Sequence, residues 1–174
     1  MNIDHIAQFI VDVPDFPEPG VVFKDITPLL ANPAAFSATV DLLAGCIRQT
    51  GADEVLAIES RGFIFGSAVA TRLSLPLHLV RKPGKLPRDT VGHDYALEYG
   101  TDRVEIHSGT LRAGLRCAIV DDVIATGGTA AATARLVRDQ GAEIVGCCVV
   151  IELGFLNGRD RLDGCPVDSL ITYD

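Results

Sequence analysis

The chain has 174 residues, of which 48% are hydrophobic and 22% are charged, a composition that is ordinary for a globular protein and excludes disorder as the default state. One domain of this length buries roughly 70% of the surface that its unfolded chain exposes, so no second core is needed. The net charge of -8 argues against nonspecific nucleic-acid binding, because such binding requires a basic surface facing phosphate.

The sequence carries no signal for a membrane or secretory location. Its longest apolar run, VGCCVVI at residues 145–151, is shorter than the roughly 20 residues that a membrane helix requires. The N-terminus has acidic residues where a secretory signal would have a basic start and a long apolar stretch. The five cysteines lack C-x-x-C spacing and predict free thiols in a reducing compartment. We therefore expect a cytoplasmic protein that contacts no membrane.

The first clear element in chain order is an amphipathic helix. Asn32 suits an N-cap and Pro33 a first helical residue, and apolar side chains then recur at helical spacing until Gly51. EVLAIES at residues 54–60 predicts a short buried strand, and RGFIFGSAVATRL, which follows at once, predicts a packed helix. The two segments form a strand-turn-helix unit.

A strand and a hairpin follow. LHLVRK at residues 77–82 predicts a strand that enters a basic stretch rich in Gly and Pro. HDYALEYG and DRVEIHSG then predict two short strands separated by Gly100, with Tyr95, Leu97 and Tyr99 on one face of the extended chain.

The last part of the chain repeats the strand-turn-helix plan. RCAIVDD predicts a strand, ATGGT a turn, TAAATARLVRDQ a helix that ends at Gly141, and EIVGCCVVIEL a closing buried strand. Strands that alternate with helices indicate an α/β fold, in which a parallel sheet is flanked by helices. Ligands of such folds bind at the carboxyl ends of the strands.

The ATGGT turn has the properties of an anion site. It lies between a strand and a helix, where free N–H groups and the helix dipole favour a phosphate. Gly127 and Gly128 let the backbone approach the ligand, and the hydroxyls of Thr126 and Thr129 can donate to it. The segment matches neither a nucleoside-triphosphate P-loop nor a dinucleotide fingerprint.

Two acids, Asp121 and Asp122, precede this turn. A carboxylate 4 Å from the phosphate would be repelled by about 4 kcal/mol at an effective dielectric constant of 20, so the pair must face hydroxyl groups or a cation. A ligand with a phosphate at one end and a diol nearby, such as ribose 5-phosphate, meets both requirements. The alternative is that the acids only end a strand and the glycines only turn the chain.

A second anion subsite is predicted from basic residues. Arg61 in ESRGF lies at a helix start, where the dipole disfavours a cation unless an anion offsets it. RKPGKLPR at residues 81–88 adds four basic side chains and no acid, enough to hold a pyrophosphate in a loop that closes over the site. Solvated surface charge is the alternative for both. A substrate with several phosphates would also bring Mg2+.

Five segments in this order resemble the type I phosphoribosyltransferases: FPEPGVVFKDITPLL at residues 16–30, ESRGF, RKPGKLP, LEYG at residues 97–100 and IVDDVIATGGT. The resemblance covers nearly the whole chain, and the chain is similar to those members of the family that use adenine. It implies a single domain over residues 1–174, with a hood over residues about 14–30 and a flexible loop over residues about 83–105. It also implies a homodimer.

The resemblance also implies a role for each matching position. Asp121 and Asp122 would bind the ribose hydroxyls, and the 5-phosphate would be bound by Ala125, Thr126, Gly127, Gly128 and Thr129. Pyrophosphate would be bound by Ser60, Arg61, Arg81, Lys82 and Lys85, and adenine by Val22, Phe23 and Lys24. Lys24 stands where many members have arginine, and Val123 and Ile124 stand where leucines are usual.

The implied reaction joins adenine to phosphoribosyl diphosphate, forms AMP in purine salvage and releases pyrophosphate. Glu98 would manage the adenine proton, Tyr99 would cover the site and Arg61 would stabilise the leaving group, together with Mg2+ held by substrate and water. A phosphoribosyltransferase for another purine, such as hypoxanthine, and a non-enzymatic sensor of phosphoribosyl diphosphate remain as alternatives.

Overall fold

The computed structural model describes residues 1–96 and 100–174. The chain divides into two compact units, Met1–Leu42 and Leu43–Asp174. The single domain with a hood and a flexible loop, which the sequence led us to expect, stays a prediction.

The first unit consists of short elements: α1 (Ile3–Ala7), β1 (Val11–Pro14), β2 (Val22–Asp25), α2 (Thr27–Ala31) and the start of α3 (Pro33–Thr50). β1 and β2 pair antiparallel, with Asp12 opposite Lys24. The Asn32 side chain accepts a hydrogen bond from the Ala35 N–H at 3.0 Å, which confirms the predicted N-cap of α3.

The second unit contains one parallel sheet and one hairpin. Its elements are β3 (Glu54–Ile58), α4 (Gly62–Leu73), β4 (Leu77–Val80), β5 (Thr90–Ala96), β6 (Thr101–His107), β7 (Arg116–Ile124), α5 (Gly128–Asp139), β8 (Glu143–Leu153), two 3-10 helices (Gly154–Leu156 and Gly158–Arg161) and β9 (Val167–Tyr173). The sheet has the strand order β4-β3-β7-β8-β9, and β5 and β6 form a separate antiparallel pair. The predicted α/β fold with a parallel sheet and flanking helices is confirmed.

The core of this unit lies along the central strands. All five residues of β3 are buried, as expected for a strand covered on both faces in a parallel sheet. Helix α4 approaches β3 closely, since a Cβ atom at Gly66 would lie 2.4 Å from the Ala57 Cβ. Helix α5 contributes buried small and apolar residues, among them Ala134, Leu136 and Val137.

Three strand ends in the parallel sheet differ from the prediction. The strands predicted over residues 54–60 and 77–82 end two residues earlier, because Glu59, Ser60, Arg81 and Lys82 leave the sheet. β7 continues to Ile124, two residues beyond the predicted end. The four residues that leave the sheet therefore belong to the turns that follow β3 and β4.

The prediction that β8 closes the sheet is wrong. β9 follows and pairs parallel with β8. It is an edge strand in which one of seven residues is buried, so VDSLITY lacks the apolar run that identifies the central strands.

The predicted hairpin is confirmed where the structure describes it. Tyr95 pairs with Asp102, and the neighbouring pair is Asp94 with Arg103. Leu97 and Tyr99, which were expected on the same face as Tyr95, lie outside the described residues.

All five cysteines are free, and four of them are buried. Within residues 1–96 and 100–174, no helix is long and apolar enough to cross a bilayer.

Candidate active site

The connections of the sheet place a crevice between β3 and β7. The chain leaves β3 toward β4 on one side and leaves β7 toward β8 on the other, so these adjacent strands form the switch point of the sheet. Ligands of open α/β sheets bind outside the carboxyl ends of strands at such a point. A cavity of about 280 Å³ lies there, and it is lined by Ile58, Glu59, Ser60, Arg61, Lys82 and residues 121–130.

The two strand-turn-helix units predicted from the sequence thus meet in one cavity. Ten of the predicted site residues line it: Ser60, Arg61, Lys82, Asp121, Asp122, Ala125, Thr126, Gly127, Gly128 and Thr129. Arg81 and Lys85 are not among the residues that line it, although Arg81 Nη1 donates to the Lys85 carbonyl at 3.1 Å.

The turn between β7 and α5 requires glycine. Gly127 has φ 76° and precedes the first residue of α5, Gly128. A Cβ atom at Gly127 would lie 2.1 Å from the Gly158 carbonyl oxygen, so no other residue fits. The N–H groups of the first turn of α5 have no partner within the helix and, with the helix dipole, favour an anion in the cavity.

Gly158 packs against the backbone of this turn, and the sequence did not predict this contact. A Cβ atom at Gly158 would lie 2.1 Å from the Ala125 carbonyl oxygen and 2.9 Å from the Gly127 nitrogen. The dipeptide Asn157-Gly158 is a turn signal in the sequence, but a turn signal does not reveal which backbone it contacts.

The paired carboxylates lie near the carboxyl end of β7 and line the cavity. Asp122 is only 3% exposed, and its N–H donates to Asp121 Oδ1 at 2.8 Å. Asp121 packs against the first residue of α4, since a Cβ atom at Gly62 would lie 2.6 Å from Asp121 Oδ1. Glycine at the start of α4 therefore makes room for the carboxylate.

Arg61 supplies a positive charge to this pair. Its Nε lies 2.8 Å from Asp122 Oδ2. That oxygen has no aligned hydrogen-bond donor among the described residues, so the contact is an ion pair without directional hydrogen bonding. Arg61, which the sequence predicts beside a phosphate, thus has a carboxylate partner as well.

Burial raises the pKa of both carboxyl groups. For Asp121 the charge of Asp122 adds to the rise, whereas for Asp122 the positive charge of Arg61 opposes it. Ionising both carboxyl groups therefore costs free energy. Hydroxyl donors or a cation in the cavity would lower that cost.

Glu59 is a second residue that the sequence analysis left without a role. Its Oε2 accepts hydrogen bonds from Arg81 Nε and from the Lys82 N–H, both at 2.9 Å. These contacts join the turn after β3 to the turn after β4. The peptide bond between Glu59 and Ser60 is cis.

The predicted adenine residues belong to the first unit. Val22, Phe23 and Lys24 lie on β2. The Phe23 ring meets the Phe16 ring edge-on, with centroids 5.2 Å apart, and the Lys24 amine lies 2.6 Å from Asp12 Oδ1. Their role stays a prediction. Glu98 and Tyr99, the other two catalytic candidates, lie outside the described residues.

A parallel sheet whose switch point carries D-D-x-x-A-T-G-G-T defines a type I phosphoribosyltransferase. In agreement, residues 25–167 match the model of the phosphoribosyl transferase domain. The chain is 54% identical to the adenine phosphoribosyltransferase of Streptomyces coelicolor over 94% of this chain and 92% of that protein.

Two crystal structures have the same fold over nearly their whole length. The adenine phosphoribosyltransferase of Thermoanaerobacter pseudethanolicus has a TM-score of 0.96 and 44% identity, over 99% of this chain and 100% of that one. That of Saccharomyces cerevisiae, in complex with an iminoaltritol bisphosphate and adenine, has a TM-score of 0.89 and 37% identity, over 97% of both chains. The chain belongs to the adenine phosphoribosyltransferase family, a family of glycosyltransferase enzymes.

Proposed function

We propose that the chain transfers the phosphoribosyl group of phosphoribosyl diphosphate to adenine, forming AMP and releasing pyrophosphate. One observation carries the proposal: a single cavity at the switch point holds both a carboxylate pair and an amide-lined turn. Such a cavity offers opposite chemistry to the two ends of a phosphorylated pentose.

In this proposal the pentose phosphate lies along the last residues of β7 and the turn that follows them. Asp121 and Asp122 accept hydrogen bonds from the ribose hydroxyls, and residues 125–129 donate to the 5-phosphate. This orientation keeps the phosphate away from the carboxylates, which would repel it. It also places a polar partner on the buried Asp122, which is costly to leave uncompensated.

The pyrophosphate lies at the other side of the cavity, against the turn after β3. Ser60, Arg61 and Lys82 line the cavity there. Arg81 and Lys85 belong to the same basic stretch and would reach the ligand by movement of the loop. Positive charge at this position stabilises the leaving group as the bond to the anomeric carbon breaks.

The donor set of the cavity fits Mg2+ that arrives with the substrate. Magnesium commonly keeps several waters and binds through one or two carboxylates together with substrate phosphates. Asp121 and Asp122 are the carboxylates that would take part, since Glu59, which also lines the cavity, already accepts hydrogen bonds from Arg81 and Lys82. When bound, the ion neutralises part of the charge of the departing pyrophosphate.

Base binding and proton transfer are assigned from the family resemblance. Val22, Phe23 and Lys24 would bind adenine, and Glu98 would handle its proton while Tyr99 covers the site. Because the Lys24 amine is paired with Asp12, a backbone role in reading the base is favoured over a side-chain role.

We further propose a cytoplasmic homodimer. The free thiols of all five cysteines suit a reducing compartment. The exposed large apolar side chains include Ile64 on α4 (37%) and Leu79 on the edge strand β4 (40%), which a second copy of the chain would cover.

A purine competition assay tests the proposal. The chain is incubated with Mg2+, phosphoribosyl diphosphate and equal amounts of adenine, hypoxanthine and guanine, and the nucleotide products are separated. We expect AMP as the main product. IMP as the main product would indicate an enzyme for another purine, and no turnover of any base would favour a sensor of phosphoribosyl diphosphate.

A further inference from the structure

The β5–β6 hairpin contacts both phosphate subsites through one cross-strand pair, Tyr95 and Asp102. The Tyr95 hydroxyl accepts a hydrogen bond from Lys82 Nζ at 2.7 Å and lies 3.0 Å from Thr129 Oγ1. It also donates to Asp102 Oδ2 at 3.0 Å, and Asp102 in turn forms an ion pair with Lys82. One hydroxyl thus joins the turn after β4 to the first turn of α5.

The donor count fixes the direction of these bonds. A tyrosine hydroxyl has one proton and two acceptor positions. Since it donates to Asp102 and accepts from Lys82, it must accept from Thr129 as well. In the free protein the Thr129 proton therefore points to Tyr95. When a phosphate oxygen takes that proton, the Tyr95 hydroxyl can turn its own proton from Asp102 to Thr129 Oγ1, because Asp102 keeps its ion pair with Lys82.

Lys82 is held in the same way. Its ammonium has three donors, of which Asp102 and Tyr95 use two, and the third remains for the cavity that Lys82 lines. Partial burial by itself would lower the pKa of the Lys82 amine. The hydrogen bonds to Asp102 and Tyr95 outweigh this effect, so the pKa is raised. A lysine has a long flexible stem, so these partners limit where its charge can go.

The Tyr95 ring also packs on residues 125–129, the phosphate turn between β7 and α5. A Cβ atom at Gly128 would lie 3.6 Å from two carbon atoms of that ring, which is ordinary van der Waals contact. Because phenylalanine would keep this packing, the hydroxyl can be removed without removing the ring.

We propose that Tyr95 is a positioning residue of the transferase reaction: its hydroxyl places Lys82 for the pyrophosphate and Thr129 for the 5-phosphate. The inference rests on the proposed function, which assigns these two residues to those groups. It adds a residue that contacts neither phosphate but orders a donor for each.

Calorimetric titrations of the full chain with AMP and with magnesium pyrophosphate test this inference. Loss of one hydrogen bond to each donor should weaken the binding of AMP and of pyrophosphate by about three- to tenfold in Tyr95→Phe. The KM for phosphoribosyl diphosphate should rise while the KM for adenine stays unchanged.

Double variants separate positioning from a general structural effect. In a Lys82→Met background, Tyr95→Phe should still weaken AMP but no longer pyrophosphate. In a Thr129→Val background the pattern should reverse. Asp94→Asn is the matched control, because Asp94 lies in the adjacent cross-strand pair and binds Arg103 instead; it should leave both affinities unchanged.

Three results would overturn the inference. If Lys82→Met and Thr129→Val leave both affinities unchanged, the proposed subsites are wrong and the inference fails with them. If those variants weaken binding and Tyr95→Phe does not, the inference alone fails. Equal losses from Tyr95→Phe in every background would indicate a structural role in place of positioning.

Discussion

The Asp121 carboxyl is buried beside a second carboxyl, so its folded-state pKa lies above its unfolded value. The penalty on the stability of the fold is largest above the folded pKa, shrinks as the pH falls from the folded toward the unfolded pKa, and is absent below the unfolded pKa. The binding function we propose needs the ionised form. At this residue stability and ligand binding therefore favour opposite charge states.

Asp121→Asn should consequently raise the free energy of unfolding at neutral pH by roughly 0.5–2 kcal/mol, the usual range for one stabilising substitution. The amide oxygen can still accept the Asp122 N–H, so local structure is kept. The gain should shrink as the pH falls through the raised pKa of the native carboxyl. Urea denaturation over a pH series measures this; a gain that grows toward acidic pH would contradict the burial argument.

Asp122→Asn tests the diol assignment. Removing a charged acceptor from the ribose hydroxyls should weaken AMP and phosphoribosyl diphosphate by about 10- to 100-fold, the range for hydrogen bonds to charged groups. Equilibrium titration with each ligand provides the measurement. Unaltered affinity for both would mean that the carboxylate does not bind the ribose.

Glu98→Leu tests the catalytic assignment made from the sequence. If Glu98 acts on the adenine proton only during reaction, turnover should fall far more than affinity for phosphoribosyl diphosphate. Steady-state kinetics and direct titration of the sugar diphosphate together give both quantities. Equal losses in turnover and affinity would remove Glu98 from the catalytic role.

At the scale of elements, the phosphate turn depends on the 3-10 helix that begins at Gly158. Gly158→Ala would place a methyl group 2.1 Å from the Ala125 carbonyl oxygen, so the turn must shift. We expect a loss of stability of about 1–3 kcal/mol, typical of overpacking, together with weaker AMP binding. Thermal unfolding and AMP titration measure the two effects.

Gly45→Ala provides the control for Gly158→Ala. Gly45 lies within α3, and a Cβ atom there would have nothing within 4 Å. Alanine in a helix interior should be neutral or stabilising by up to about 1 kcal/mol. If Gly158→Ala behaves like Gly45→Ala, the contact behind the phosphate turn has no energetic importance.

The same elements show what local sequence can predict. The α3 N-cap, β8 and the turn before α5 follow from capping residues, apolar runs and glycines that act within a few positions. β9 does not, because an edge strand needs few apolar residues and its pairing depends on β8. Gly158 and Glu59 also escape such reading, since their importance lies in contacts with residues 22 to 33 positions away.

For the whole molecule, the proposed dimer predicts a concentration-dependent mass. Sedimentation equilibrium should give twice the 18.5 kDa of one chain at micromolar concentration. Leu79→Glu should shift the mass toward the monomer, because it places a charge on the exposed edge of the sheet. A monomer in the unsubstituted protein at every concentration would contradict the dimer.

The orientation of the nucleotide in the cavity is the central claim, and a crystal structure with AMP tests it most directly. The account predicts the 5-phosphate against the N–H groups of residues 125–129, with the ribose hydroxyls on Asp121 and Asp122. An AMP molecule bound elsewhere, or bound in the cavity with its phosphate beside the two carboxylates, would contradict the account.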